Sequence, residues 1–190
     1  AATAAFTIAG GAGSVADEVI LRGTNSRDTI KIDQGARTAQ VNALKTVTLA
    51  ATIELLNALG LLGQDTFQVI PGAGLAGSID NLIIDVDGGG GAANDALVVF
   101  SANAGALAAN QFVVVKKNAD ITSGTVRVFT AAVPNPDINY TNINTVSPNV
   151  FVNGINPNLL ILGPDNNDPN EFLATPTFLG SGSTLQIQHA

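Results

Sequence analysis

Apolar and polar positions alternate in short bursts along this chain, separated by glycine, asparagine and aspartate. Phe6-Thr7-Ile8, Thr29-Ile30-Lys31-Ile32-Asp33 and Thr66-Phe67-Gln68-Val69-Ile70 have the period of two that turns one face of a strand toward a core. Val19-Ile20-Leu21 and Leu82-Ile83-Ile84 also read as strands, Leu97-Val98-Val99-Phe100 as a buried one, and the continuous apolar run Phe112-Val113-Val114-Val115 has the pattern of a strand covered on both faces. Further strands are expected at 125–129, 138–146 and 150–152, each roughly ten to fifteen residues after the last. Residues 50–62 are ambiguous, because Ile53, Leu55, Leu56, Leu59 and Leu62 form a helical stripe and Leu and Ala favour helix. The expectation for 54–59 is nevertheless a strand.

The turns between bursts share a grammar. Residues 85–100 run from Asp85-Val86-Asp87 through Gly88-Gly89-Gly90-Gly91 and Asn94-Asp95 into the apolar run ending at Phe100. A run of glycines cannot be the interior of a helix or strand, so it predicts a tight turn with access to positive φ. Written as glycine, four residues, Asp or Asn, one residue, apolar, the unit recurs as Gly23/Asp28/Ile30, Gly60/Asp65/Phe67, Gly90/Asp95/Leu97 and Gly105/Asn110/Phe112. Recurrence of this kind marks stacked units that bury their apolar faces only against neighbours. The fold expected is all-β, a β-solenoid or roll-like stack of short strands joined by Gly/Asp/Asn turns, with a β-sandwich as the alternative.

Gly60-Leu61-Leu62-Gly63-Gln64-Asp65-Thr66-Phe67 resembles a degenerate copy of the RTX (hemolysin-type) calcium-binding nonapeptide, with Leu61 in place of its second glycine. The copy from Asp87 to Leu97 has one residue too many before Asn94-Asp95. Residues 53–69 and 138–146 are similar to repeat modules of very large secreted bacterial surface proteins. The resemblance spans roughly 17–154 and implies a repeat architecture and calcium as a ligand. Asp168-Pro169-Asn170, Ala174-Thr175 and Leu179-Gly180 resemble the opening of a bacterial pre-peptidase C-terminal domain.

Composition narrows the function. Of the 190 residues 46% are hydrophobic and only 12% charged, against about 25% charged in ordinary domains. That balance suits a packed or assembled extracellular material better than a cytosolic enzyme. A net charge of −7 with eight scattered basic residues argues against nucleic acid or an anionic membrane as partner. There is no cysteine and one histidine, His189, which removes disulfide frameworks, thiolate metal sites and Ser-His-Asp or Cys-His catalysis. No stretch approaches ~18 uninterrupted apolar residues, so no membrane span is expected. The chain contains no methionine, which suggests a processed protein or a segment of a longer one. Seven of the eight prolines lie after residue 133, and the chain is expected to divide into a β-rich repeat module, 1–162, and a Pro/Asn-rich linker with a terminal strand, 163–190.

Calcium is the cofactor whose oxygen ligands are present. Asp65, Asp85, Asp87, Asn94 and Asp95 are its candidate ligands, followed by Asp165, Asn167 and Asp168. The competing role for the same residues is structural, since Asp and Asn side chains cap their own turns. Asp85 and Asp87 share a strand face, as the paired carboxylates of a glycosidase would. A sugar groove usually adds aromatic platforms and cations, and this chain has no Trp and one Tyr, so no enzyme is expected. Arg22, Arg27 and Lys31 beside Asp17, Glu18, Asp28 and Asp33 read as surface ion pairs.

Both ends read as strands without a partner in the chain: Phe6 and Ile8 at the start, Leu185 and Ile187 after Gly180-Ser181-Gly182-Ser183. Apart from His189, residues 184–190 carry no acidic or basic side chain and no proline to blunt an edge. The function expected is therefore an extracellular or cell-surface structural module of a bacterial surface layer, fibre or adhesin. Its partners would be copies of itself, joined head to tail by strand addition. A calcium-dependent adhesin or carbohydrate-binding module, with polysaccharide as partner, is the alternative, and a secreted polysaccharide-active enzyme the third.

Overall fold

The computed structural model describes residues 6–11, 13, 16–72, 81–90, 94–100, 111–118, 120, 122–130, 133–134, 136–143, 150–153, 158–162 and 185–188. These residues form strands and turns, with no helix among them. The strands are β1 (Phe6–Ile8), β2 (Glu18–Arg22), β3 (Thr29–Asp33), β4 (Thr38–Val41), β5 (Val47–Leu49), β6 (Leu55–Leu59), β7 (Thr66–Ile70) and β8 (Ile83–Asp87). They continue with β9 (Ala96–Phe100), β10 (Gln111–Lys117), β11 (Gly124–Thr130), β12 (Val133–Pro134), β13 (Ile138–Thr141), β14 (Val150–Asn153), β15 (Asn158–Leu162) and β16 (Leu185–Gln188). Residues 55–59 are thus strand, as expected, and tertiary pairing outweighs the helical preference of their leucines.

The strands assort into two mixed sheets. The first has the order β1-β5-β4-β3-β7-β9-β14, and the second β16-β15-β10-β11-β13-β8-β6-β2, with β12 beside β11. Chain order and sheet membership alternate: β2, β6, β8 and β13 lie in the second sheet, and each is followed by a strand of the first, β3, β7, β9 and β14. Within each sheet these four strands are adjacent and parallel. Each crossing from second to first sheet therefore stacks on the next.

Register turns this into continuous apolar rows. Val19, Leu56, Ile84, Ile138, Val126 and Val115 are successive partners across the second sheet. Ala39, Ile32, Val69 and Val99 are successive partners across the first. Except for half-buried Val19, all are core residues, joined by Ile30, Phe67, Leu97 and Tyr140. The row two residues along in β2, β6, β8 and β13 is smaller at its centre, Leu21, Ala58, Val86 and Tyr140, so a small residue leaves room beside the large ring. The intervening row is Ile20, Asn57, Asp85, Asn139, Thr125 and Lys116, on the more accessible face. Alternation in the sequence is the imprint of these rows.

Three expectations need correction. The strand expected at 138–146 ends at Thr141, because Asn142 takes φ 53° and turns its amide back to Asp87. Asp28 is not a surface ion-pair residue: it is 1% exposed and engaged by Thr24 and Asn42. The terminal strands do have partners in the chain. Phe6 and Ile8 pair in parallel with Val47 and Leu49, and Leu185 and Ile187 with Leu159 and Ile161. Pairing within the chain needs no encounter with another molecule, and β16 matches an apolar strand, β15, residue for residue. Residues 163–184, with Asp165, Asn167 and Asp168, lie outside the described residues, as do Gly105 and Asn110. No helix among the described residues is long and apolar enough to cross a membrane.

Candidate functional site

Two constellations emerge, one inside the turns between the sheets and one on the accessible face of the second sheet. The inner one is a ladder of aspartates at the start of β3, β7 and β9. Asp28, Asp65 and Asp95 are 1%, 0% and 4% exposed. The backbone N–H of Asp28 donates to Asp65 Oδ1 at 2.7 Å, and that of Asp65 to Asp95 Oδ1 at 2.7 Å. In return Thr66 N–H donates to the Asp28 carbonyl and Ala96 N–H to the Asp65 carbonyl, both at 2.9 Å. The Asp65 and Asp95 carboxylates thus each satisfy the amide of the preceding aspartate in the ladder, while that of Asp28 accepts from Thr24 and Asn42.

The glycines of the repeat have a matching ladder. Gly23, Gly60 and Gly88 N–H donate to the carbonyls of Leu59, Asp87 and Thr141, the last residues of β6, β8 and β13. A Cβ on these glycines would stand 2.8, 2.5 and 2.8 Å from Oδ2 of Asp28, Asp65 and Asp95. The third repeat therefore pairs Gly88, not Gly90, with Asp95. The repeated glycines hide this in the sequence, since only contact with the carboxylate distinguishes them.

The electrostatics differ along the ladder. Burial pushes the Asp28 carboxyl up, but the Thr24 N–H, the Asn42 amide and the Thr24 hydroxyl outweigh it and hold it below its ordinary value. Asp65 has no such cage. Burial, opposed by the Asp28 N–H and reinforced by the charges of Asp95 and Asp28, raises it to about 6. Asp95 is also raised, by burial first and by the charge of Asp87. Among the described residues, Asp65 Oδ2 has no hydrogen-bond partner. At the position equivalent to Thr24 stands Leu61, with φ 77° and no hydroxyl to offer.

The outer constellation is an open groove of about 320 Å3 lined by Asn57, Leu59, Asp85, Val86, Asp87, Asn139, Tyr140 and Thr141. It forms because the strand ends of β6, β8 and β13 lie in register, bringing Asn57, Asp85 and Asn139 into one row and Leu59, Asp87 and Thr141 into the next. Asn139 Nδ2 donates to Asp85 Oδ1 at 2.7 Å, and Thr125 Oγ1 to Asn139 Oδ1 at 3.3 Å. Gly89 N–H and Asn142 Nδ2 both donate to Asp87 Oδ1 at 2.8 Å, and the Asn57 amide donates to Glu18. Such a row of fixed amide, hydroxyl and carboxylate groups can hydrogen-bond a polyhydroxylated ligand. Tyr140 supplies floor rather than chemistry: it is buried, its hydroxyl has no partner among the described residues, and burial pushes it up to about 12.

The candidate metal ligands consequently separate. Asp65 and Asp95 join the inner ladder, Asp85 and Asp87 the outer groove, and Asn94 is exposed in the turn before β9. Among the described residues no group of three or more His, Cys, Asp or Glu side chains is placed to hold a metal ion.

Three polar residues escaped the sequence pattern, one at the aspartate ladder and two that hold turns elsewhere in the fold. Asn42, at φ 50°, accepts from Thr29 N–H through Oδ1 and donates to Asp28 through Nδ2. Gln34 is fully buried, donating to the Leu82 carbonyl at 2.7 Å and accepting from Gly72 N–H at 3.0 Å. Arg37, at φ 51°, covers the carbonyls of Leu49, Ala50 and Ile53 at the turn from β5 to β6. Only Asn42 had a signal, an asparagine able to take a left-handed turn conformation. Comparison of the chain with protein-family models, with curated proteins and with solved structures finds no match.

Proposed function

We propose that this chain is an extracellular structural module of a bacterial surface layer, fibre or adhesin, folded as a roll-like stack and joined to further units through strand addition. The supporting observation is the repeated crossing between the sheets, each stacked on the next by paired glycine and aspartate ladders. Such units gain stability from neighbours, so the architecture extends by repetition. The low charge content agrees with surfaces that pack against other surfaces. Sedimentation velocity over a wide range of protein concentration tests the reading. Growing oligomers are expected, and a chain that stays monomeric throughout would count against it.

The groove at Asp85 and Asp87 favours a second reading, a carbohydrate-binding module with or without calcium. Titration calorimetry against neutral oligosaccharides, in calcium and in chelator, discriminates the two. Saturable heat lost in Asp85→Ala would favour the module, and no heat with any sugar would leave the structural role alone.

A further inference from the structure

The two sheets are staggered along the stack: β4, β5 and β1 lie beyond the β2–β3 crossing in the first sheet, and β11, β10, β15 and β16 beyond the β13–β14 crossing in the second. At one end the edges are β1 in the first sheet and β2 in the second, and at the other they are β14 and β16. Among the described residues no strand pairs with the outer side of any of the four.

Strand direction is the decisive feature. In the second sheet β16, β15 and β10 are mutually parallel, as are β13, β8, β6 and β2. β11 is antiparallel to both β10 and β13, so those two groups run the same way. In the first sheet β1 and β5 are parallel, β4 opposes both β5 and β3, and β3, β7, β9 and β14 are parallel. Each sheet therefore presents the same strand direction at its two opposite edges. A second copy translated along the stack meets both edges with parallel strands, the pairing that predominates inside the module.

The apolar rows lead to the same contact. Val115 is in register with Ile161 and Ile161 with Ile187, so the aliphatic row of the second sheet runs from Val19 at one edge to Ile187 at the other. In the first sheet the row runs from Phe6 through Val47, Ala39, Ile32, Val69 and Val99 to Val152. No polar position interrupts either row at an edge. Phe6 and Ile20, on the edge strands of one end, are 54% and 49% exposed.

We propose that the partner is a second copy of this chain, bound end to end, with the outer edges of β14 and β16 in one copy pairing in parallel with β1 and β2 of the next. The proposal rests on the self-assembling reading above and specifies its interface. β16 stays in its own sheet and offers only its free side, so no segment is exchanged. The contact is heterologous and leaves the far end open, so it propagates as a filament. Both sheets continue at once, which aligns two rows of backbone donors and acceptors in a single docking event.

The chain has no cysteine, which allows a direct test with the full chain. Ile20 and Gln188 occupy the two ends of one register row, through Asn57, Asp85, Asn139, Thr125, Lys116 and Leu162. Ile20→Cys and Gln188→Cys chains, distinguished by a mass tag, are mixed under mild oxidation and resolved on non-reducing gels. Gln186→Cys serves as a second probe that tolerates a register shift. The mixed product is expected to exceed either symmetric product by roughly tenfold or more, since docking raises the effective concentration of that pair alone. Adding Phe6→Lys to the Ile20→Cys chain is expected to lower the yield, because a charge on the edge of β1 opposes pairing. Symmetric products, or oligomers in sedimentation without the mixed product, overturn the end-to-end assignment and leave self-assembly standing. Chains that remain monomeric and give no cross-link overturn both.

Discussion

Asp65 is the residue at which the buried ladder is least satisfied, and it sets the sign of the pH dependence. Folded, it keeps its proton up to about pH 6; unfolded, it returns to the ordinary value of 3.8. Between those values the folded chain binds the extra proton, so stability falls as pH rises from about 4 to about 6. The ionised buried carboxylate then costs on the order of 2–3 kcal/mol. Asp28 has the opposite sign: its folded value is depressed, so its contribution is present above the ordinary carboxyl range and lost as pH falls through the folded value. Asp65→Asn keeps an acceptor for Asp28 N–H and is expected to flatten the fall in thermal midpoint between about pH 4 and pH 6. An unchanged slope would place the titration elsewhere.

The glycine turn supplies a sharper residue-scale contrast. Gly89 has φ 88°, and a Cβ on it would lie 2.0 Å from the Leu61 carbonyl oxygen, whereas a Cβ on Gly90 would meet nothing within 4 Å. Gly89→Val is therefore expected to cost about 2–3 kcal/mol or more in denaturant unfolding, and Gly90→Ala about 0–1. Equal losses would mean the two turns are not stacked through Leu61. Leu61 itself has φ 77°, so Leu61→Gly relieves about 1–2 kcal/mol of strain, partly offset by the flexibility of glycine in the unfolded chain. A net gain of up to about 1 kcal/mol is expected, and a net loss would show that the leucine side chain matters more than its backbone.

At the scale of elements, strands were legible and their neighbours were not. The period-two pattern located β3 and β7 because one face of each packs in the core and the other does not. Nothing local announces that β3 lies beside β7, since Asp28 and Asp65 are 37 residues apart while Asp65 and Asp95 are 30 apart. Unequal separations conceal the pairing, because the loops vary in length while the paired strands stay in register. The groove was half legible: Asp85 and Asp87 were recognised as sharing a face, but Asn57 and Asn139 join them only through sheet pairing. Gln34 was invisible because it acts across turns, bridging Gly72 and the Leu82 carbonyl. Gln34→Leu fills similar volume but removes both hydrogen bonds of the bridge, and a loss of about 1–3 kcal/mol is expected by chemical denaturation. A loss below about 0.5 kcal/mol would show that these turns do not depend on the bridge.

At the scale of the whole molecule, the proposed assembly adds copies along the direction in which strands stack inside the module. The most direct measurement is X-ray diffraction from aligned assemblies. Strands at right angles to the long axis place the ~4.7–4.8 Å inter-strand reflection along that axis, with the ~10 Å spacing between packed sheets across it. Edge-to-edge addition through β14 and β16 predicts that orientation. A 4.7–4.8 Å reflection lying across the long axis, or filaments with no oriented strand reflection, would contradict growth along the stack.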